Sequence, residues 1–270
     1  MTDRKGHWPE FVGARHHCCR RIHVLLEGKT AIVTGSSRGI GRSTALLFAR
    51  NGARVVINHT RPGDAIDETR AELDAAGAEY IVCQGDISDV AFVKDMVAKT
   101  ASTFGSVDIL INNAGITRDR PTMLMTDDDW YDVLTKNLSS AFLCSREVLR
   151  PMMRQKDGRI VMVSSVTAAS GRVGQVNYGA AKSGMNGMMR SLAREVGRYQ
   201  IRVNSMLVGI TETDMTKQLP KDMVVDLKKG LALQRFAEPE EIANVALFLA
   251  SDMSSFVTGA EFLITGGGYM

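Results

Sequence analysis

Tyr178 and Lys182 stand four residues apart in Tyr-Gly-Ala-Ala-Lys, and Ser165 lies thirteen residues before the tyrosine. Four residues is about one helical turn, so a phenol and an ammonium at this spacing project from one helix face. A cation held beside a phenol favours the phenolate and lowers its pKa from about 10 toward the working range of a general acid. A Tyr-x-x-x-Lys pair arises by chance on many helices. Here it shares a chain with a spaced serine and with a glycine loop, Thr34-Gly-Ser-Ser-Arg-Gly-Ile-Gly41.

These residues need elements to position them. From Lys29 onward, short β-branched runs alternate with amphipathic helical stretches. Strands are expected at 31–34, 54–58, 80–83, 107–112, 159–163, 201–206 and 261–264. Helices are expected at 40–50, 65–76, 90–103, 128–153 (a single long one) and 177–197. Short, fully apolar strands alternating with helices predict an α/β fold, a doubly wound, Rossmann-type parallel sheet of seven strands covered on both faces. No Pro/Gly/Ser-rich linker and no repeat divides residues 24–270, so one domain is expected. The stretch from Thr211 to Gly230 is Met-rich, charged and fits the pattern least. It reads either as a mobile lid over the carboxyl edge of the sheet or as a surface helix pair.

Composition narrows the function classes. The chain has 270 residues, 44% of them hydrophobic, and a formal charge of +3. That charge is too small to point to nucleic acid. No apolar run approaches the roughly 20 residues that span a bilayer, and the N-terminus lacks an apolar signal-peptide core, so a cytoplasmic protein is expected. Cys18, Cys19, Cys83 and Cys144 form no disulfide framework. Residues 1–23 carry four of the five histidines and two adjacent cysteines. These are zinc-ligand types, but they have no regular ligand spacing, and the segment reads as a disordered extension with no metal site.

The glycine loop follows the first strand and opens the first helix, the context in which a pyrophosphate meets a helix N-terminus. Its Gly35, Ser37, Arg38, Gly39, Ile40 and Gly41 are candidate cofactor contacts. At the end of the second strand a carboxylate normally holds the ribose 2′-hydroxyl of NAD. Asn58 takes that place here, followed by His59, Thr60 and Arg61. With no acid there, and with Arg38 in the loop, the site favours NADP(H), since a guanidinium suits phosphate. The alternative is that Arg38 and Arg61 are solvated surface charges. Asp86, with Ile87 beside it, is placed to contact adenine or to cap the following helix.

With these motifs in order, the chain resembles the short-chain dehydrogenase/reductase family over essentially all of residues 25–270. Asn112-Asn113-Ala114-Gly115 resembles the family motif beside the adenine ribose, and Asn137 its helix asparagine. Ser165, Tyr178 and Lys182 match its catalytic set. Within the family the chain is most similar to 3-oxoacyl-[acyl-carrier-protein] reductases, through Leu26-Glu-Gly-Lys29, Gly115-Ile-Thr-Arg-Asp119, Gly174-Gln-Val-Asn-Tyr178, Ser191-Leu-Ala-Arg-Glu195, Thr211-Glu-Thr-Asp-Met-Thr216 and the C-terminal Gly-Gly-Gly-Tyr-Met270.

The resemblance implies reduction of a 3-oxoacyl thioester on acyl carrier protein or coenzyme A. Tyr178 would be the proton donor. Lys182 would hold the nicotinamide ribose, Ser165 the carbonyl oxygen, and Asn137 a water leading to solvent. Ser164, the other candidate serine, should face the opposite side of its strand. Thr211 and Thr213 match cofactor contacts near the carboxamide and phosphates. Val208-Gly209 replaces the family's Pro-Gly, which would loosen the wall beside the nicotinamide. Thr265-Gly266-Gly267 replaces its Asp-Gly-Gly.

The resemblance further implies a dimer interface on the two long helices and a homotetramer. Arg150, Arg154, Lys156, Arg159, Arg194 and Arg198 either dock an acidic carrier or complement helix macrodipoles. The rival readings are an enzyme for a free sugar, steroid or quinone and a non-catalytic nucleotide-binding protein.

Regular structure is expected to begin at Val24, and a valine codon can start a bacterial gene. The expected N-terminus in the natural host is therefore position 24. Mass spectrometry of the intact protein from that host checks this, and a mass that includes residue 1 rejects it.

Overall fold

Alternate residues of each strand project to opposite faces of a sheet, and in the central strands of this chain both sets are largely apolar. In the computed structural model, which describes residues 24–213, 216 and 220–269, Ala31, Val33, Val55, Ile57, Ile109, Ile111, Val161 and Val163 join one core cluster. Their neighbours Ile32, Val56, Leu110, Ile160, Met162 and Val203 join the other. The strands β1 (Thr30–Val33), β2 (Arg54–His59), β3 (Tyr80–Gln84), β4 (Ile109–Asn112), β5 (Gly158–Ser165), β6 (Ile201–Val208) and β7 (Glu261–Ile264) form one sheet in the order β3-β2-β1-β4-β5-β6-β7. Every pairing is parallel. The expected seven-stranded doubly wound sheet is thus observed.

The strand order reverses at β1, which pairs with β2 on one side and β4 on the other. The chains leaving β1 and β4 part there, and the crevice between them lies at the carboxyl edge of the sheet. Helices α1 (Gly39–Arg50), α2 (Asp64–Ala75) and α3 (Val90–Phe104) follow β1, β2 and β3 in turn. Asp89, not Asp86, caps α3, its side chain accepting from Ala91 N at 2.8 Å.

The helix expected at 128–153 is interrupted. It consists of α4 (Asp127–Val133), a π turn over Leu134–Ser139 and α5 (Ser140–Gln155). A π turn carries one more residue than an α turn, which hydrophobic spacing does not reveal. It places Asn137 at its centre, fully buried, with Nδ2 donating to Ile116 O at 2.9 Å and Val133 O at 2.8 Å. The short α6 (Thr167–Ser170) precedes α7 (Val176–Val196). In the Thr211–Gly230 stretch, Lys221–Lys229 forms helix α8. Residues 214, 215 and 217–219 lie outside the described residues, as do 1–23, so neither the lid nor the N-terminal expectation is addressed by the fold. Helix α9 (Pro239–Ala250) packs Ile242, Ala246 and Leu249 on the first cluster. Among the described residues, no helix is long and apolar enough to cross a membrane.

Candidate active site

The end of β1 is tied to the end of β4 by one hydroxyl. Thr34 Oγ1 donates to Ile111 O (3.1 Å) and accepts from Asn113 N (3.0 Å) and Ala114 N (3.1 Å). The Asn113 amide returns two bonds, to Thr34 O at 2.9 Å and Gly35 O at 3.0 Å. Gly35 turns with φ +62°, and a Cβ there would lie 2.9 Å from Ala114 Cα, so only glycine lets the loop lie against β4. Helix α1 begins at Gly39 with no side-chain cap and no acid in its first turn. Its free amides and positive dipole end therefore face the groove, the arrangement that receives a phosphate.

That groove, about 540 Å³, is lined by Gly35, Ser37, Arg38, Gly39, Ile40, Gly41, Asn58, His59, Asp86, Ile87, Asn113, Ala114, Gly115 and Thr213. These are all the candidate cofactor contacts except Tyr178, Lys182 and Thr211. Those three line an adjoining cavity of about 290 Å³ with Asn137 and Ser165. Ile40, Asn113, Gly115, Ile116 and Thr213 border both spaces, so the groove and the cavity are continuous. A glycine cradle, an open helix N-terminus and a run of polar groups leading to Tyr178 fit a nicotinamide dinucleotide.

Two groove residues differ from their expected parts. The Asn58 amide is fully engaged with backbone, accepting from Gly35 N at 3.3 Å and donating to Cys83 O and Gly85 O at 3.1 Å each. It pins β2 to the glycine loop and β3, and leaves the next residue, His59, to face the groove. Asp86 is held by Lys136, and by Ser88 through bonds of 2.9 and 2.8 Å. Burial pushes its carboxyl up, but the hydrogen bonds from Lys136 and Ser88 outweigh this and hold it below the usual carboxylate range. Lys136 was not foreseen. Its one sequence signal is its place beside Asn137, and only the π turn brings it across to Asp86.

In the cavity, Ser165 ends β5 while Tyr178 and Lys182 share a face of α7. Ser164 Oγ is buried against Lys182 O at 3.2 Å, which leaves Ser165 as the serine beside the phenol. Asn177 fixes the start of α7. Its Nδ2 donates to Arg118 O at 3.1 Å and Asp129 O at 3.0 Å, and its Oδ1 accepts from Tyr178 N at 2.7 Å. Gln175 does the same for the cavity wall, donating to Asp119 Oδ2 at 2.7 Å. Neither was singled out for this from sequence. Val208 does not loosen the wall. It is buried at the end of β6, in register with Ser165 and Ile264, and its carbonyl accepts from Val166 N at 2.9 Å.

Lys182 does not lower the Tyr178 pKa as its spacing suggested. Its Nζ sits 5.6 Å from the phenol ring centroid and donates to Val163 O at 2.8 Å. Burial pushes the phenol up, the Ser165 hydroxyl pulls it partway back, and the charge of Asp119 adds to the rise. A raised pKa keeps the proton on Tyr178 at neutral pH, as a proton donor requires. Burial brings Lys182 down to about 8. Asn137 Oδ1 is buried with no protein partner among the described residues, and it packs so tightly on Gly115 that a Cβ there would collide with it.

The basic side chains proposed for carrier docking lie elsewhere. Arg150 and Arg154 lie in the last turns of α5 and Lys156 just after it, while Arg194 ends α7 and Arg198 lies in the turn after it, immediately before β5 and β6 begin. They therefore sit at the amino edge of the sheet, a strand's length of about 20 Å or more from Ser165, and do not flank the cavity of their own protomer. Arg159 is buried and paired with Asp157 and with Asp252 at 2.8 Å, so it is not available to a partner.

The family model described as enoyl-(acyl carrier protein) reductase matches residues 35–269. The chain belongs to the short-chain dehydrogenase/reductase family, whose members use a nicotinamide cofactor. Among curated relatives it is similar to the 3-oxoacyl-[acyl-carrier-protein] reductase FabG of Escherichia coli (strain K12), 42% identical over 90% of this chain and 98% of the relative. The enzyme of that name from Staphylococcus epidermidis is 40% identical over 90% and 99%. Solved structures described as a short-chain alcohol dehydrogenase from Sinorhizobium meliloti 1021 and a gluconate dehydrogenase from Agrobacterium tumefaciens are 34% and 33% identical. Each has a TM-score of 0.87 and covers 91% of this chain and 98% of its own. The two neighbours are described by different substrates, so the shared fold alone does not select one.

Replacing the buried ammonium of Lys182 tests this electrostatic picture. The Lys182→Met protein is expected to melt a few degrees above the native protein at pH 7. The native lysine's folded pKa, about 8, lies below the roughly 10.4 of an exposed lysine, so its charge costs stability below pH 8, and the cost fades as pH rises toward the unfolded value. The gap in melting temperature should close over that range in a calorimetric series. A gap independent of pH would refute the assignment.

Proposed function

We propose that the protein is an NADPH-dependent reductase of 3-oxoacyl thioesters, carried on acyl carrier protein or coenzyme A, and that it works in the cytoplasm as a homotetramer. The observation that carries the reaction type is the continuity of the Ser165–Tyr178–Lys182 cavity with the glycine-loop groove. The substrate class rests on the relatives named 3-oxoacyl-[acyl-carrier-protein] reductase, which match this chain almost end to end. NADPH is supported by Arg38 in the groove and by the lack of an acid at the end of β2.

The cofactor supplies hydride to the ketone carbon. Tyr178 Oη gives its proton to the ketone oxygen, and Ser165 Oγ donates a hydrogen bond to that oxygen as negative charge grows on it. Lys182, with a pKa of about 8 and so still mostly charged at neutral pH, holds the ribose hydroxyls. Asn137, with its buried Oδ1 free of protein partners among the described residues, holds a water that returns a proton toward Lys182. Gly35, Ser37, Gly39, Ile40 and Gly41 receive the pyrophosphate, Asn113–Gly115 the adenine-side ribose, and Thr211 and Thr213 the nicotinamide end.

Purified protein is expected to oxidise NADPH with acetoacetyl thioesters, faster on carrier protein than on coenzyme A or a bare thiol. Tyr178→Phe should lose turnover by about a hundredfold or more with little change in NADPH affinity. NADPH binding without turnover of any thioester would reject the substrate and turn the search to free carbonyl compounds. Equal turnover by the Phe variant would reject the mechanism.

A further inference from the structure

His59 is the one histidine among the described residues, and it faces the groove where a dinucleotide's adenosine end would lie. Its backbone is fixed at the end of β2, the carbonyl accepting from Gly85 N at 2.8 Å. Its ring is fixed as well, with Nδ1 2.8 Å from Arg61 O. A carbonyl can only accept, so Nδ1 carries the proton and the neutral ring must present a bare lone pair at Nε2. Nε2 has no protein partner among the described residues and is not among their buried, unpartnered atoms, so it opens on the groove. The Asn58 amide, taken up by three backbone bonds, does not compete for that position.

A ring held this way presents two different faces. Neutral, Nε2 accepts a hydrogen bond, which suits a ribose 2′-hydroxyl and repels a phosphate oxygen. Protonated, it donates and carries positive charge, which suits a 2′-phosphate. Histidine makes this change between about pH 5 and 8.

We propose that His59 makes the choice between NADPH and NADH depend on pH, adding to a constant preference set by Arg38 a further one that appears as the solution becomes more acid. The other charged groups lining the groove are Asp86 and Lys136, which pair with each other. From β3 the ring's own residue is faced by uncharged Gln84, with the buried thiol of Cys83 next to it. Arg61 meets the ring through its carbonyl. The inference rests on the cofactor assignment above and is independent of which carbonyl compound is reduced.

Dissociation constants of NADPH and NADH, from fluorescence titration of the full chain, test it between about pH 5.5 and 8.5. A phosphate monoester's own ionisation near about pH 6 opposes the effect, so each preference is divided by that of His59→Gln. The quotient should rise about tenfold toward acid, the scale of one charge-assisted hydrogen bond. His59→Lys, a permanent cation, should hold the acid-end preference across the range. A quotient flat in pH overturns the inference. So does failure of the native chain to bind either cofactor, which would also overturn the cofactor assignment. A pH-dependent preference in a protein that turns over no 3-oxoacyl thioester would uphold the inference and reject only the proposed substrate.

Discussion

The Thr34 hydroxyl holds together the two chain ends that a doubly wound sheet forces apart. Strand order reverses at β1, so the segments leaving β1 and β4 must diverge, yet a dinucleotide needs both against it. Three hydrogen bonds to one buried oxygen, and two more from the Asn113 amide, close that gap. The groove geometry follows. Gly35 lies on Ala114, α1 starts with its amides free, and Gly115 comes down on Asn137. Asn58 repeats the device on the other side, tying β2 to the loop and to β3.

On that frame the catalytic groups are assembled at an electrostatic cost. Lys182 is buried against a carbonyl rather than a carboxylate, so its charge is poorly compensated and its pKa falls. Tyr178 is pushed the other way by the same burial. The same burial thus parts the two groups on the pH scale, keeping the proton on Tyr178 while making Lys182 the easier of the two to deprotonate. The π turn adds to this by swinging Asn137 into the cavity and Lys136 onto Asp86.

The sheet was legible because its central strands, β1, β4 and β5 above all, are largely apolar on both faces, as a doubly covered strand requires. The catalytic set was legible because Tyr178 and Lys182 are local on one helix. What was not legible depended on contacts between distant segments. Hydrophobic spacing ran through the π turn and returned a single helix over 128–153. Asn58 was placed at the ribose because its engagement with Cys83 and Gly85 is invisible until β3 pairs with β2. Of the two readings open for the basic residues at the helix ends, carrier docking beside the site and helix macrodipole complement, their place just before β5 and β6 favours the second. Arg159 looked free until Asp252, far along the chain, came to meet it.

The central claim is that the Thr34 clamp, which itself lines neither cavity, sets cofactor binding. Thr34→Val keeps the shape of the side chain and removes its three hydrogen bonds. Calorimetric titration with NADPH should show affinity weaker by about tenfold or more, the scale of one or two buried hydrogen bonds, with the circular dichroism spectrum of the native fold. Unchanged affinity in a folded Thr34→Val protein would contradict the account.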